Sequence, residues 1–376
     1  MEKNVLITGG AGFIGKNLCD RINKDMYNVT ILDNFSKQIH GDIDIDRFKK
    51  SNQSIEVLIG NICDQKILRT AIKNKHYIIH LAAETGTGQS MYQIKRYTDA
   101  NIGGTALLFD LLVNNSNSVE KIIVASSRAV YGEGKYQCKD HGVQYPTSRD
   151  VSDLMKGDFE FYCNICKKKL IALPTDENSL LNPLSIYGLT KYGQEQTALI
   201  TGNSMALPVT ILRLQNVFGP GQSLQNPYTG ILSIFSTRLK HNREVEIYED
   251  GYESRDFIYI QDVTKAILLS LEHDMRKCKV YNVGSGKRTT VLEVAKLLKY
   301  YYNSNSRIKI TSKYRKGDIR HNYASIERIS NDLNFEPDFD FKSGVKYFVD
   351  WVNDQDSLHD NYSESMEELK CRGLYK

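Results

Sequence analysis

Short runs of β-branched and aliphatic residues recur along the chain, at 4–8, 29–33, 55–59, 77–82, 121–126, 209–214 and 280–283. Between them, segments such as 105–113 and 187–200 space their apolar residues at helical intervals, so the period alternates between two and 3.6. Strands alternating with amphipathic helices predict βαβ units, and hence a doubly wound parallel sheet with helices on both faces. The rhythm breaks from about 133 to 182, a stretch dense in Cys, Lys, Gly and Asp that reads as an insertion. It breaks again after Phe218, at the turn-rich string GPGQSLQNPYTG. These breaks predict a dinucleotide-binding domain over 1–215 and a smaller α/β substrate-binding lobe over 216–376, with 255–285 returning to the first domain. The tail from Asn353 is polar and is expected to dock loosely.

Composition changes this picture little. The 376 residues are 41% hydrophobic and 25% charged, enough for a large core. The net charge of +4 argues against a nucleic-acid or membrane-surface protein, and the run Lys167–Lys169 reads as a solvated charge cluster. No apolar run approaches the roughly 18 residues of a membrane span. Seven cysteines with no leader segment point to reduced thiols in the cytosol, where clustered cysteines are first metal ligands.

The first strand runs into Thr8-Gly9-Gly10-Ala11-Gly12-Phe13-Ile14-Gly15 at the opening of a helix. Glycines at 9, 12 and 15 allow a tight turn, close approach of a pyrophosphate to backbone N–H groups, and close helix packing. Asp33 ends the second strand eighteen residues beyond Gly15, placed to accept from an adenosine ribose and to repel a 2′-phosphate. NAD is therefore the expected cofactor. Asn61 and Ile62 follow the third strand, beside the adenine edge. The small residues after His80 (Leu81, Ala82, Ala83) let a cofactor lie against backbone.

Tyr187 and Lys191 stand four apart, on one helix face. An ammonium beside a phenol stabilises the phenolate, which suits Tyr187 to proton abstraction. Ser127 closes the fifth strand at the sheet edge where such folds bind ligands, placed to hold the oxygen being transformed.

With TGGAGFIG (8–15), LDN (32–34), HLAA (80–83), SSRAVYG (126–132), YGLTK (187–191) and RDFIYIQDV (255–263), the chain resembles the extended short-chain dehydrogenase/reductase family over nearly its whole length. These are NAD-dependent nucleotide-sugar epimerases and dehydratases with Rossmann-type domains. The resemblance implies that Tyr187 is the catalytic base, Lys191 a ligand of the nicotinamide ribose, and Ser127 the hydrogen-bonding hydroxyl. It adds Phe13, Ile14, Asn34 and Asn101 to the cofactor contacts. The family's 4,6-dehydratases carry Asp-Glu after the Ser127 position; Arg128-Ala129 stands here, which removes the acid and base that expel water. A 4-epimerase remains, with a decarboxylase, dehydratase or 4-dehydrogenase/reductase as the alternative and a non-catalytic dinucleotide sensor as the rival outside enzymes. Further strings (GTGQSMY, NVFGPGQSLQNPYTG, EDGYESRDF, YRKGDIRH) resemble the dTDP-L-rhamnose 4-epimerase branch, and point to a dTDP- or UDP-linked hexose or deoxyhexose. By that resemblance Asn216, Arg255 and Arg320 hold the diphosphate, and Thr85, Ser90 and Tyr92 face the sugar. Gln215 and Arg128 depart from the pattern. A homodimer through helices near 95–115 and 187–200 is implied as well.

Within the insertion, Cys138 and His141 form one close pair and Cys163 and Cys166 another, with 21 residues between the pairs. Three thiolates and an imidazole predict a closed, tetrahedral, structural zinc site in a zinc-ribbon-like unit. Such a staple would order an excursion with few apolar residues.

Overall fold

The structure is a computed structural model and describes residues 2–224, 226, 230–315, 318–355 and 371–372. Most of the tail expected to dock loosely lies outside the described residues.

Seven parallel strands form the central sheet: β1 (Lys3–Thr8), β2 (Tyr27–Asp33), β3 (Ile55–Ile59), β4 (Tyr77–His80), β5 (Lys121–Ser127), β6 (Val209–Leu214) and β7 (Lys279–Val283). Their spatial order is β3-β2-β1-β4-β5-β6-β7. The near-continuous apolar runs follow from burial on both faces. In β1, Val5 and Ile7 join one core with α1 (Phe13–Arg21) and the helix Ile260–Glu272, while Leu6 joins the other. That second core also holds Leu108, Phe109 and Leu112 of the helix Gly104–Asn114 and Ala198 of the helix Ile186–Ser204. The fold is thus a Rossmann-like α/β sandwich. Its order reverses between β1 and β4, where such sheets open a ligand crevice at their carboxyl ends. β4 stops at His80, short of the apolar run that continues to 82: Leu81 N still bonds the Thr8 carbonyl, but Ala82 N turns onto the Thr8 hydroxyl.

Residues 133–182 form no βα unit. Tyr136–Cys138 pairs antiparallel with Gly142–Gln144 on one side and Ile171–Ala172 on the other. Tyr136, Phe161 and Leu170 give this piece a small core of its own. Beyond β6, Asn216–Phe218 pairs with Phe257–Tyr259, and Ser254–Arg255 lies between Thr289–Thr290 and His321–Asn322. Among the described residues, no helix is long and apolar enough to cross a membrane.

Candidate active site

At the sheet's switch point, backbone geometry comes first. Gly9 takes φ +70°, and a Cβ there would fall 2.8 Å from the Ala82 nitrogen. A Cβ on Gly15 would fall 2.5 Å from the Gly10 carbonyl, so α1 packs against the loop only without a side chain. No side chain caps α1 at Gly12 and no acid stands in its first turn, which leaves its N–H groups facing outward as an anion cradle. Thr8 ties the strand ends together: its hydroxyl lies 2.7 Å from His80 Nδ1 and accepts from Ala82 N. Burial holds His80 neutral, its pKa down to about 3.

The resulting cleft measures about 420 Å³ and is lined by Gly9, Gly12, Phe13, Ile14, Gly15, Asp33, Asn34, Asn61, Ile62, Leu81, Ala82, Ala83, Thr85 and Tyr187, among others. An extended dinucleotide suits its glycine cradle, apolar walls and terminal carboxylate. Asp33 is already oriented, accepting from Ala11 N at 3.0 Å and Phe35 N at 2.9 Å. His40 Nε2 sits 3.3 Å from Asp33 Oδ1 and also lines the cleft, a neighbour that the sequence pattern does not reveal. The loop that brings it there turns at Phe35, at φ 48°, which no local pattern announces.

The helix Ile186–Ser204 begins where Ser185 caps Gly188 N, and this delivers Tyr187 and Lys191 one turn apart. A Cβ on Gly188 would meet the Ala129 carbonyl at 2.6 Å, so the helix start presses on the segment after β5. Ser127 Oγ accepts from Ala129 N at 3.1 Å, and its hydroxyl stands near enough to the Tyr187 phenol to act on it. Burial raises the Tyr187 phenol, while the nearby Ser127 hydroxyl and the Arg128 charge pull it down. Lys191 Nζ donates to the Ala125 carbonyl at 2.8 Å, and burial lowers its ammonium to about 7 against the pull of Glu195. Glu195, fully buried, is paired with Arg213 at 2.8 Å and accepts from Ser126 Oγ at 2.5 Å, a strut below the site that the motifs did not reveal.

Other expected residues stand elsewhere. Ser90 is fully buried, donating to the Thr87 carbonyl and accepting from Tyr187 N, so its hydroxyl ties down the tyrosine's helix. Asn101 is spent on the Glu84 backbone and Thr190, holding the cleft loop from behind; Ala100 lines the cleft in its place. The Tyr92 ring lies under the Arg372 guanidinium at 4.1 Å. Asn216 Oδ1 accepts from Arg128 Nε at 2.6 Å. Arg255 donates to the Ser254 and Arg320 carbonyls and to Asp318.

Arg320 corrects the expectation most plainly. It is completely buried, with Nε on Glu160, Nη1 on Glu249 and Asp250, and Nη2 on Glu160 and Asp250. Those contacts occupy all five guanidinium donors, so none is left for a diphosphate.

In the insertion, the ligand atoms of Cys138, His141, Cys163 and Cys166 lie within 4.8 Å of one another. Cys138 Sγ is 3.5 Å from Cys166 Sγ and 3.6 Å from His141 Nδ1, which is 3.4 Å from Cys163 Sγ.

Comparison with known proteins agrees with this geometry. The family described as NAD dependent epimerase/dehydratase matches residues 5–150 and 167–284, passing over 151–166. A dTDP-L-rhamnose 4-epimerase of Burkholderia thailandensis is 33% identical over 93% of this chain and 95% of its own length. A UDP-N-acetylglucosamine 4-epimerase of Methanobrevibacter ruminantium superposes with a TM-score of 0.75 at 29% identity, covering 94% of this chain and 99% of that one. MoeE5, solved in complex with UDP-glucuronic acid and NAD, gives 0.72 at 27% identity, with 93% and 99% covered. With a family match across most of the chain and a full-length relative at one-third identity, this protein belongs to the NAD dependent epimerase/dehydratase family.

Proposed function

We propose that the protein is an NAD-dependent nucleotide-sugar 4-epimerase acting on a dTDP- or UDP-linked hexose or deoxyhexose. The observation that carries this reading is Tyr187 in the lining of a dinucleotide-shaped cleft with Ser127 and Lys191 beside it, and no acid pair after Ser127. Relatives named as 4-epimerases of dTDP- and UDP-sugars support it. NAD, when bound, supplies the hydride acceptor and donor. Tyr187 takes the proton of the sugar 4-hydroxyl at its Oη and returns it after the keto sugar has turned over. Ser127 holds the same oxygen in both directions. Lys191, anchored on Ala125, holds positive charge beneath the phenol and meets the nicotinamide ribose. The elements after Phe218 cover the sugar, with Asn216 and Arg255 on the diphosphate side and Thr85 at the cleft wall.

Two structural features complete the reading. Cys138, His141, Cys163 and Cys166 would hold one zinc ion: Zn–S near 2.3 Å and Zn–N near 2.0 Å call for tetrahedral edges of roughly 3.5–3.8 Å, and three of the ligand-atom pairs stand 3.4–3.6 Å apart, with all four atoms within 4.8 Å of one another. Four protein ligands would leave no open position, so a metal held there would staple the insertion and take no part in the chemistry. Ile94, Val113, Leu189 and Ile200 are half or more exposed on the helices expected to pair two chains, an apolar face suited to a homodimer.

Incubating the purified protein, without added cofactor, with a panel of dTDP-, UDP-, GDP- and CDP-sugars tests the activity. A product of unchanged mass and new retention is expected. Loss of water or of carbon dioxide would move the protein to the dehydratase or decarboxylase branch.

A further inference from the structure

The two positions that depart from the family pattern leave adjacent strand ends. Ser127 of β5 pairs in register with Leu214 of β6, so Arg128 and Gln215 emerge side by side, with Asn216 next. Both carry buried polar atoms without partners. Arg128 Nε donates to Asn216 Oδ1 at 2.6 Å, while Nη1 is shut off from solvent and bonded to nothing. The Gln215 amide, also buried, has neither its oxygen nor its nitrogen engaged.

Charge accounting isolates Arg128 further. Arg149, Arg213, Arg255 and Arg320 are each ion-paired within 3.1 Å of a carboxylate. Arg128 has no carboxylate at ion-pair distance among the described residues; Asp318 and Glu133 act on it only from farther away, and Arg255 repels it. Burial lowers its guanidinium to about 9, the mark of a cation waiting for a counter-charge. Leaving such a group unmatched next to a ligand cleft is costly unless the ligand completes it.

We propose that Arg128, with Gln215 beside it, receives an anionic oxygen at the sugar end of the nucleotide-sugar substrate and thereby sets which substrates the enzyme accepts. The inference rests on the epimerase reading and deepens it. Two sources present that chemistry: a carboxylate on the sugar, or the phosphate attached to it. A planar, bidentate donor adjacent to Ser127 suits either.

Calorimetric titration of NAD-loaded wild type, Arg128→Met and Arg128→Lys with a nucleoside diphosphate, a neutral nucleotide hexose and a nucleotide uronate separates the cases. A charge-assisted bond of this kind predicts a loss of about 10- to 100-fold in affinity for Arg128→Met, with Arg128→Lys recovering only part. A loss shared by all three ligands assigns the phosphate; a loss confined to the uronate assigns the carboxylate. NAD content and melting temperature of the variants report folding. Wild-type protein that binds and converts nucleotide sugars, with Arg128→Met binding every ligand as tightly, overturns this inference alone. Wild-type protein that binds no nucleotide sugar overturns the epimerase reading and this inference with it.

Discussion

Arg320 is completely buried and Arg128 half-buried with its Nη1 closed off from solvent, yet the surroundings of the two are opposite. Around Arg320, at the junction of the insertion with the elements that follow β6, Glu160, Glu249 and Asp250 close every donor, and Glu133 accepts the backbone N–H at 2.8 Å. Around Arg128, beside the cleft, one amide oxygen is the only partner among the described residues. A saturated guanidinium fixes the fold, because removing either side strands the other's charge. An unsaturated one holds binding capacity in reserve. The contrast extends to neighbours: Tyr187 lines the cleft and Lys191 stands one turn along the same helix on the Ala125 carbonyl, both with pKa values moved by burial, while Glu195 and Arg213 beneath them are satisfied by each other.

Substitution at the cleft should therefore cost activity with little stability, and substitution at the junction the reverse. The largest effect belongs to Tyr187→Phe. Removing one hydroxyl that takes the sugar proton should lower kcat by about 10²- to 10⁴-fold, while bound NAD and melting temperature stay at wild-type values. Turnover within a factor of three of wild type would break both the mechanism and the contrast. Next comes Arg320→Met, which leaves Glu160, Glu249 and Asp250 without their cation; a stability loss of about 3–5 kcal/mol is expected from denaturant unfolding. A variant of unchanged stability, with weakened binding of the nucleotide sugar, would return Arg320 to the diphosphate.

That reversal shows where sequence reading is strong and where it stops. The period of apolar residues specifies strands and helices because burial on both sheet faces is decided locally, residue by residue. The glycine loop, Asp33, and the Tyr187–Lys191 spacing are legible for a similar reason: each needs only a turn and a neighbouring strand or helix face. Arg320 is different. Its partners come from 160, 249 and 250, and nothing in the string YRKGDIRH tells that an insertion will bring Glu160 within 2.7 Å. The partners of Ser90 and Asn101 are hidden from the sequence for a related reason, since their side chains bond mainly to backbone groups of other segments. His40 was missed because its arrival at Asp33 depends on one left-handed residue.

The insertion offers a middle-sized test. Cys166→Ser removes one of four convergent ligand atoms, so bound zinc should fall from about one per chain to near none. The melting temperature should drop by a few degrees, less than for Arg320→Met, because the sheet core does not depend on the staple. New protease sites should open within 150–170. Wild-type protein that folds fully with no metal would refute the staple.

The smallest effect is the most specific to the junction, because it depends on pH. Burial raises the Glu133 carboxyl to about 7, against the opposing charge of Arg149 and the N–H of Arg320. Unfolded, a glutamate titrates near 4.3. Between about pH 4.3 and 7 the native state therefore holds a proton that the unfolded chain has released. The stabilisation is complete below that window and disappears as pH rises through the native value. Glu253, raised by burial and by Glu249 to about 8, adds a second step of the same sign. Glu133→Gln keeps an acceptor for Arg320 N but cannot ionise. Its stability difference between pH 5 and pH 8 should shrink relative to wild type by on the order of 2 kcal/mol, with Tyr187-dependent turnover unchanged at pH 7. If the two proteins track each other across that range, the junction's carboxylates are all ionised in the native state, and the saturated surroundings of Arg320 reach Glu133 as well.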